Sequence, residues 1–138
     1  MQPIENSIWF AKMKNSKKVL CFGDFSNDYI KKYILSTGFA GLKCKEHALE
    51  YIWNFINNNN FEFIKDRLSN GATQEAINND SMSLIDLIVP SKKALDNYHR
   101  DTYNIYKLIY NNQIEIQTLT ELRDWLLPLL MNGQVKVG

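Results

Sequence analysis

Nothing in this 138-residue chain approaches the roughly eighteen consecutive apolar residues that a membrane span requires, so no membrane partner is expected. The opening residues, Met1-Gln2-Pro3-Ile4-Glu5-Asn6, carry neither the basic nor the apolar region of a secretory signal, and the expected location is the cytoplasm. Cysteine is scarce. Cys21 and Cys44 show no Cys-x-x-Cys spacing, and free thiols are the plain expectation in a reducing compartment. An excess of one charge sign is missing as well: the net charge is +1, which argues against a domain wrapped in positive potential but leaves room for a local basic patch. His47 and His99 lie far apart with no metal-ligand spacing around either, so both are expected at the surface rather than as ligands or bases. There is no Gly-rich phosphate loop and no recognisable nucleophile context. No catalytic residue, no metal and no cofactor is therefore expected.

What the chain does have is enough apolar material for a core, at 45% hydrophobic and 12% aromatic residues, in a length that suits one domain with an appendage. Ser7–Met13 is rich in β-formers, Lys14–Lys17 is a polar turn, and Lys18–Phe22 is the returning strand of a hairpin. Gly23–Asp28 is loop, and Tyr29–Tyr33 is ambiguous, with one helical turn as an option. Ile34–Lys43 is a third strand in which Gly38 and Gly41 mark a bulge or a close backbone approach. Ala48, Leu49, Ile52, Phe55 and Ile56 have helical spacing, and the helix ends in the tract Asn57-Asn58-Asn59-Asn60. Phe61, Ile64 and Leu68 mark a second short helix stopped by Asn70-Gly71. The polar stretch Gly71–Asn78 is a loop with room for a short strand. Leu84–Val89 has the look of a buried strand ended by Pro90.

From Ser91, a good N-cap, to about Asn132, with Gly133 as the stop, the pattern is one uninterrupted helix about 60 Å long. Tyr98, Thr102, Ile105, Ile109, Asn112, Ile116, Leu119, Arg123, Leu126 and Leu130 fall on one alternating three-four register. A period near 3.5 is that of a helix packing along another helix. No earlier segment is long enough to cover such a stripe, so the chain is expected to work in company. Ile105, Ile109, Asn112, Ile116, Leu119, Leu126 and Leu130 are the candidate pairing residues. Asn112 either sits in the seam and fixes register or is exposed on a locally packed helix. Trp125, Leu127 and Leu129 widen the apolar face near the end and suggest a further contact. Pro128 removes the bond to the Asp124 carbonyl, and a kink is expected there.

Two segments have chemistry suited to nucleic acid. Lys12, Lys14, Lys17 and Lys18 lie within seven residues with no acid among them, and lysines in such a patch bind phosphates without reading sequence. Lys43, Lys45 and Arg67 extend it if the fold brings them together. Asn70, Thr73, Gln74, Glu75 and Asn78 crowd one loop. Asn and Gln pair with adenine edges, whereas Asn and Thr also cap turns, and both uses stand open on residue chemistry.

The run Leu122-Arg123-Asp124-Trp125-Leu126-Leu127-Pro128-Leu129-Leu130-Met131-Asn132-Gly133-Gln134-Val135 resembles the C-terminal signature of type I restriction-modification specificity subunits. Gly71–Asn78 followed by the segment ending in Pro90 resembles the close of their target-recognition domain, and Phe10-Ala11-Lys12-Met13 with Ser36-Thr37-Gly38-Phe39 resembles its central strands. The resemblance covers nearly the whole chain. It implies a non-catalytic DNA-specificity component that recognises part of a bipartite double-stranded target. Its partners would be the adenine methyltransferase subunit and, in the full complex, the restriction subunit. The methyltransferase's Asn-Pro-Pro-Tyr or Asp-Pro-Pro-Tyr motif does not occur here. A full subunit of that family carries two recognition domains and two spacer helices. The expectation here is a half subunit or fragment: residues 1–90 a partial recognition domain, and residues 91–138 a spacer and dimerisation helix pairing with a second copy or a related chain. The alternative is a helix-mediated interaction module that reads no DNA. The expected fold class is α/β of the α+β kind, a small mixed sheet with short helices followed by a long coiled-coil-type helix.

Overall fold

A computed structural model describes residues 1–73 and 75–134. Three short strands form the sheet: β1 (Ser7–Ala11), β2 (Val19–Phe22) and β3 (Phe39–Lys43), in the order β2-β1-β3 with both pairings antiparallel. The α+β class is as expected. Opposite Cα partners include Ser7 with Phe22 and with Lys43, so the hairpin and the third strand share one register along β1. Being central, β1 is buried on both faces except at Trp9. The Trp9 indole lies on Gly41 directly across the ladder; a Cβ there would meet its ring atoms at 2.7 Å, so Gly41 marks the close approach that a glycine inside a strand implies.

Between strands, a 3-10 turn (Asp24–Ser26) leads into the single turn α1 (Asn27–Ile30). Helices α2 (Leu49–Ile56) and α3 (Asn59–Leu68) cover the sheet. Phe61 of α3 packs edge-on against Phe10 of β1 at 5.1 Å and against Phe55 of α2 at 5.5 Å, joining strand and helices in one aromatic cluster. Ile8, Phe22, Trp53, Ile56 and Ile77 complete the core. The four-Asn tract both ends one helix and starts the next. α2 stops at Ile56, and Asn58, extended at φ −75° and ψ 140°, caps α3 by accepting from the Asn60 N–H at 2.8 Å. A short helix, α4 (Asn79–Met82), was not anticipated; Asn78 caps it by accepting from the Ser81 N–H at 2.7 Å.

The strand expected over Leu84–Val89 does not form. This stretch is irregular, with Leu84, Ile88 and Val89 exposed. No sheet pairing includes it, and a six-residue stretch that is apolar but for Asp86 does not by itself distinguish a strand from a connector. Likewise β3 is only the second half of the strand expected from Ile34, since Ser36–Gly38 forms a turn ahead of it.

Helix α5 (Lys92–Met131) is continuous through Pro128. Ser91 caps it, accepting from the Ala94 N–H at 3.3 Å. Its end is a left-handed Gly133 (φ 66°) with Gln134 N–H to Leu129 carbonyl at 2.9 Å and Gly133 N–H to Leu130 carbonyl at 3.1 Å, the paired bonds of a Schellman stop. The chain divides into two units, Met1–Thr102 and Tyr103–Gly138. In the first, the opening turns of α5 meet α2: His99 Nδ1 lies 3.0 Å from the buried Glu50 carboxylate, and Tyr98 meets Tyr51 edge-on at 6.3 Å. In the second, Tyr110 is buried, whereas Ile105, Ile109, Asn112, Ile116, Leu119 and Leu130 are exposed and Leu126 is half-buried.

Candidate nucleic-acid interface

The polar turn of the hairpin and the 70–78 loop, some sixty residues apart in sequence, form one surface. Met13 bridges Ala76, with the Lys14 N–H donating to the Glu75 carbonyl and the Ile77 N–H donating to the Lys12 carbonyl, both at 2.9 Å. The loop closes on itself where Asn70 and Ala76 exchange both backbone hydrogen bonds at 3.1 Å. These bonds anchor the loop through Ala76 and the fully buried Ile77, while Asn70, Thr73 and Asn78 stay exposed.

Beneath the turn lies Lys65, 1% exposed on the inward face of α3. Its ammonium donates to the carbonyls of Ser16 at 2.7 Å, Met13 at 3.2 Å and Ala11 at 3.4 Å, and to Glu62 Oε1 at 3.0 Å. A buried charge is tolerated only when it is paired and hydrogen-bonded, and here a carboxylate and three carbonyls meet that condition. Next to it on α3, Asp66 accepts from the Asn15 N–H at 3.1 Å, and Asn15 holds a left-handed φ of 62°. The basic turn is thus fixed from below by α3 and from the side by the loop.

The four lysines on it are not equivalent. Lys14 is ion-paired with Glu75, whose hydrogen bond holds the ammonium above its ordinary pKa. Lys17 and Lys18 are exposed and Lys12 is half-buried. Asn78 spends its side-chain oxygen on the α4 cap, and the Asn70 amide donates to the Leu68 carbonyl at 3.1 Å, so for these two the turn-capping use is real; Thr73 is exposed. Gln74 lies outside the described residues. Lys43 is not brought to the patch. It pairs with Ser7 at one end of β1 while the basic turn leaves from Ala11 at the other, about 13 Å away along the strand. Lys43 and Lys45 instead line a separate, mostly apolar cleft with Leu42, Ile52, Val89 and Leu95. Arg67 stacks over the Phe63 ring at 5.8 Å on α3.

Sequence reasoning missed Lys65. The signal was present: Phe61, Lys65 and Ser69 form a buried ladder at a spacing of four, so a lysine sat in register with the core face of α3. It also missed that the two histidines meet. Their rings stack at 4.5 Å, with His47 Nδ1 2.7 Å from Asp96 Oδ1, and this hydrogen bond, helped by Asp96, Glu46 and Glu50, raises the His47 pKa above its ordinary value. Both rings remain partly exposed, as expected of surface residues. Among the described residues, no group of three or more His, Cys, Asp or Glu side chains is placed to hold a metal. Both cysteines are free thiols; burial pushes Cys44 up to about 11 and Cys21 higher still.

The chain is similar to the type I restriction enzyme HindI specificity subunit of Haemophilus influenzae, with 35% identity over 74 residues. The match covers 54% of this chain and 16% of the relative, so the chain spans about a sixth of that protein's length. No family model matches the chain, and no solved structure matches it.

Proposed function

We propose that this chain is part of a DNA-specificity component of a type I restriction-modification system. In this reading residues 1–90 contribute to recognition of one part of a bipartite double-stranded target. Residues 91–138 form a spacer helix that pairs with a second copy or a related specificity chain. The methyltransferase subunit docks on the assembly, the restriction subunit joins it in the full complex, and the chain itself carries out no chemistry in the cytoplasm. Besides the similarity to a specificity subunit, the observation that carries the reading is the joining of Lys12–Lys18 to the 70–78 loop at Met13 and Ala76. Lysines that position a phosphate backbone then lie next to a loop that exposes Thr73, an arrangement that suits the division of labour between phosphate and base contacts in sequence-specific DNA binding.

The test is methylation of a random duplex library by the adenine methyltransferase subunit with this chain added. Selective methylation at a fixed half-target supports the reading. A second reading, an interaction module without DNA selectivity, draws on the exposed stripe of α5, where Ile105, Ile116 and Leu119 are each more than half exposed. Assembly with the methyltransferase without selectivity favours that one.

A further inference from the structure

Lys12 and Lys18 share a cleft of about 340 Å³ with Ser36, Thr37 and Gly38, and Ala11, Met13 and Phe39 supply apolar wall. No acidic residue lines it, and among the described residues neither lysine is in an ion pair. The rims are tied together before any ligand arrives. The Lys12 N–H donates to the Gly38 carbonyl at 2.8 Å, and the Ala11 N–H to the Lys18 carbonyl at 2.9 Å. The carbonyls of Ala11, Met13 and Ser16, which would repel an anion, are taken up by the buried Lys65 ammonium. Ser36 Oγ accepts from the Gly38 N–H at 3.3 Å, and its own O–H is left as a donor. Two lysines and two hydroxyl-bearing residues lining a small, partly apolar hollow offer the chemistry that suits one phosphate with its sugar; the volume sits at the low end of ligand-sized clefts, about 300–1,000 Å³.

We infer that this cleft holds one backbone phosphate of a DNA strand, with Lys12 and Lys18 supplying charge, Ser36 and Thr37 donating to its non-bridging oxygens, and the apolar wall taking the deoxyribose. The inference rests on the DNA reading above and deepens it. It separates Lys12 and Lys18, which face the phosphate, from Lys14, which is committed to Glu75, and Lys17, which does not line the cleft. Binding here would set the register of the 70–78 loop against the neighbouring base edges, because Ala76 is part of the same cleft.

Two measurements on the full chain test it. The first is the salt dependence of binding to a random duplex, followed by fluorescence anisotropy. Replacing both Lys12 and Lys18 by Gln should lower the log–log salt slope by about 1, the loss of one phosphate contact, whereas Lys14→Gln should change it by less than about 0.5. The second is the amide chemical-shift response to a 5′-phosphorylated thymidine dinucleotide. Shifts at Lys12, Lys18 and Thr37 are expected, and Thr37→Val, a change on an exposed turn, should abolish them without altering the remaining spectrum. A dinucleotide that binds in the cleft while duplex DNA is not retained keeps the cleft as a sugar–phosphate site and overturns the DNA-specificity reading. Duplex binding with a slope indifferent to Lys12 and Lys18 overturns the cleft and leaves that reading standing. Dinucleotide shifts elsewhere, with no duplex retained, overturn both.

Discussion

The two units of this chain solve opposite problems. Residues 1–102 bury their apolar side chains internally: Ile8, Phe10, Phe22, Trp53, Phe61 and Ile77 are each at most 6% exposed. In residues 103–134 the large apolar side chains mostly face outward, with Ile105 at 57%, Ile116 at 64% and Trp125 at 64% exposed. Hydrophobic burial is the main favourable term in folding, so the first unit accounts for its own stability. The second leaves its apolar stripe exposed, and the proposed pairing would bury it. The same distinction separates the two proposed tasks, a preorganised contact surface on the first unit and an association surface on the second.

The sharpest way to break the comparison is to remove core from the first unit. Phe10→Ala deletes the ring that packs edge-on against Phe61 and should cost about 3–5 kcal/mol. Tryptophan fluorescence in a Trp125→Phe background isolates Trp9 and the buried Trp53 as reporters of that unit, and urea titration reads the loss. Unchanged unfolding would mean that the aromatic cluster is not the centre of the core.

Next in size is the polar centre beneath the basic turn. Lys65→Met keeps most of the side chain's length but removes the ammonium that Glu62 and the carbonyls of Ala11, Met13 and Ser16 share, an expected loss of about 2–4 kcal/mol. The turn should also lose order, visible as faster amide hydrogen exchange at Asn15, whose N–H bonds to Asp66. By contrast Glu75→Gln, which breaks an ion pair between side chains that are each at least 40% exposed, should have a far smaller effect on stability than Lys65→Met. If the two substitutions have equal effects, Lys65 is not holding the turn.

How much of this was legible follows the range of the interactions. The hairpin, α2, α3, the Ser91 cap and the Gly133 stop were all readable, because each is specified by residues within a few positions of one another. The Asn tract was half legible: a turn was anticipated, but its use as the α3 cap depends on the conformation of Asn58. Leu84–Val89 was misread because a mostly apolar run becomes a strand only if the chain brings it alongside an edge strand, here β2 or β3, which local pattern does not disclose. The candidate interface was legible as two separate segments. Their union through Met13 and Ala76, and the role of Lys65, rest on bonds between residues about fifty to sixty positions apart, to which spacing rules are blind.

The stripe on α5 tests the comparison from the other side. Replacing Ile109 and Ile116 by Asp should leave unfolding of the first unit within about 0.5 kcal/mol, since neither side chain is part of its core. The same pair should abolish self-association, because each isoleucine buried in a helix seam contributes about 1.5–3 kcal/mol and each new carboxylate costs more. Sedimentation equilibrium at micromolar concentration reads this directly. A wild-type chain that stays monomeric would remove self-pairing as the reason for the stripe.

The smallest effect expected concerns the histidine pair at the start of α5, where the first unit takes hold of that helix. His47 hydrogen-bonds Asp96 at 2.7 Å, lies near Glu46 and Glu50, and stacks on His99, which is itself paired with Glu50. Its pKa is raised above the ordinary 6.5, with the Asp96 hydrogen bond as the main cause. Folding therefore favours the protonated ring. The stabilisation is fully present below about pH 6.5, where the unfolded chain is protonated too, and is lost as pH rises through the higher folded value. Because the His47 side chain is 38% exposed, solvent screens the pair and the change should be small. Thermal unfolding measured from about pH 5.5 to about pH 8.5 should show a shallow decline in Tm that Asp96→Asn flattens. A decline that persists in the Asn variant would place the titrating group elsewhere, and the hold of α2 on α5 would then rest on Tyr51, Tyr98 and the Glu50–His99 contact.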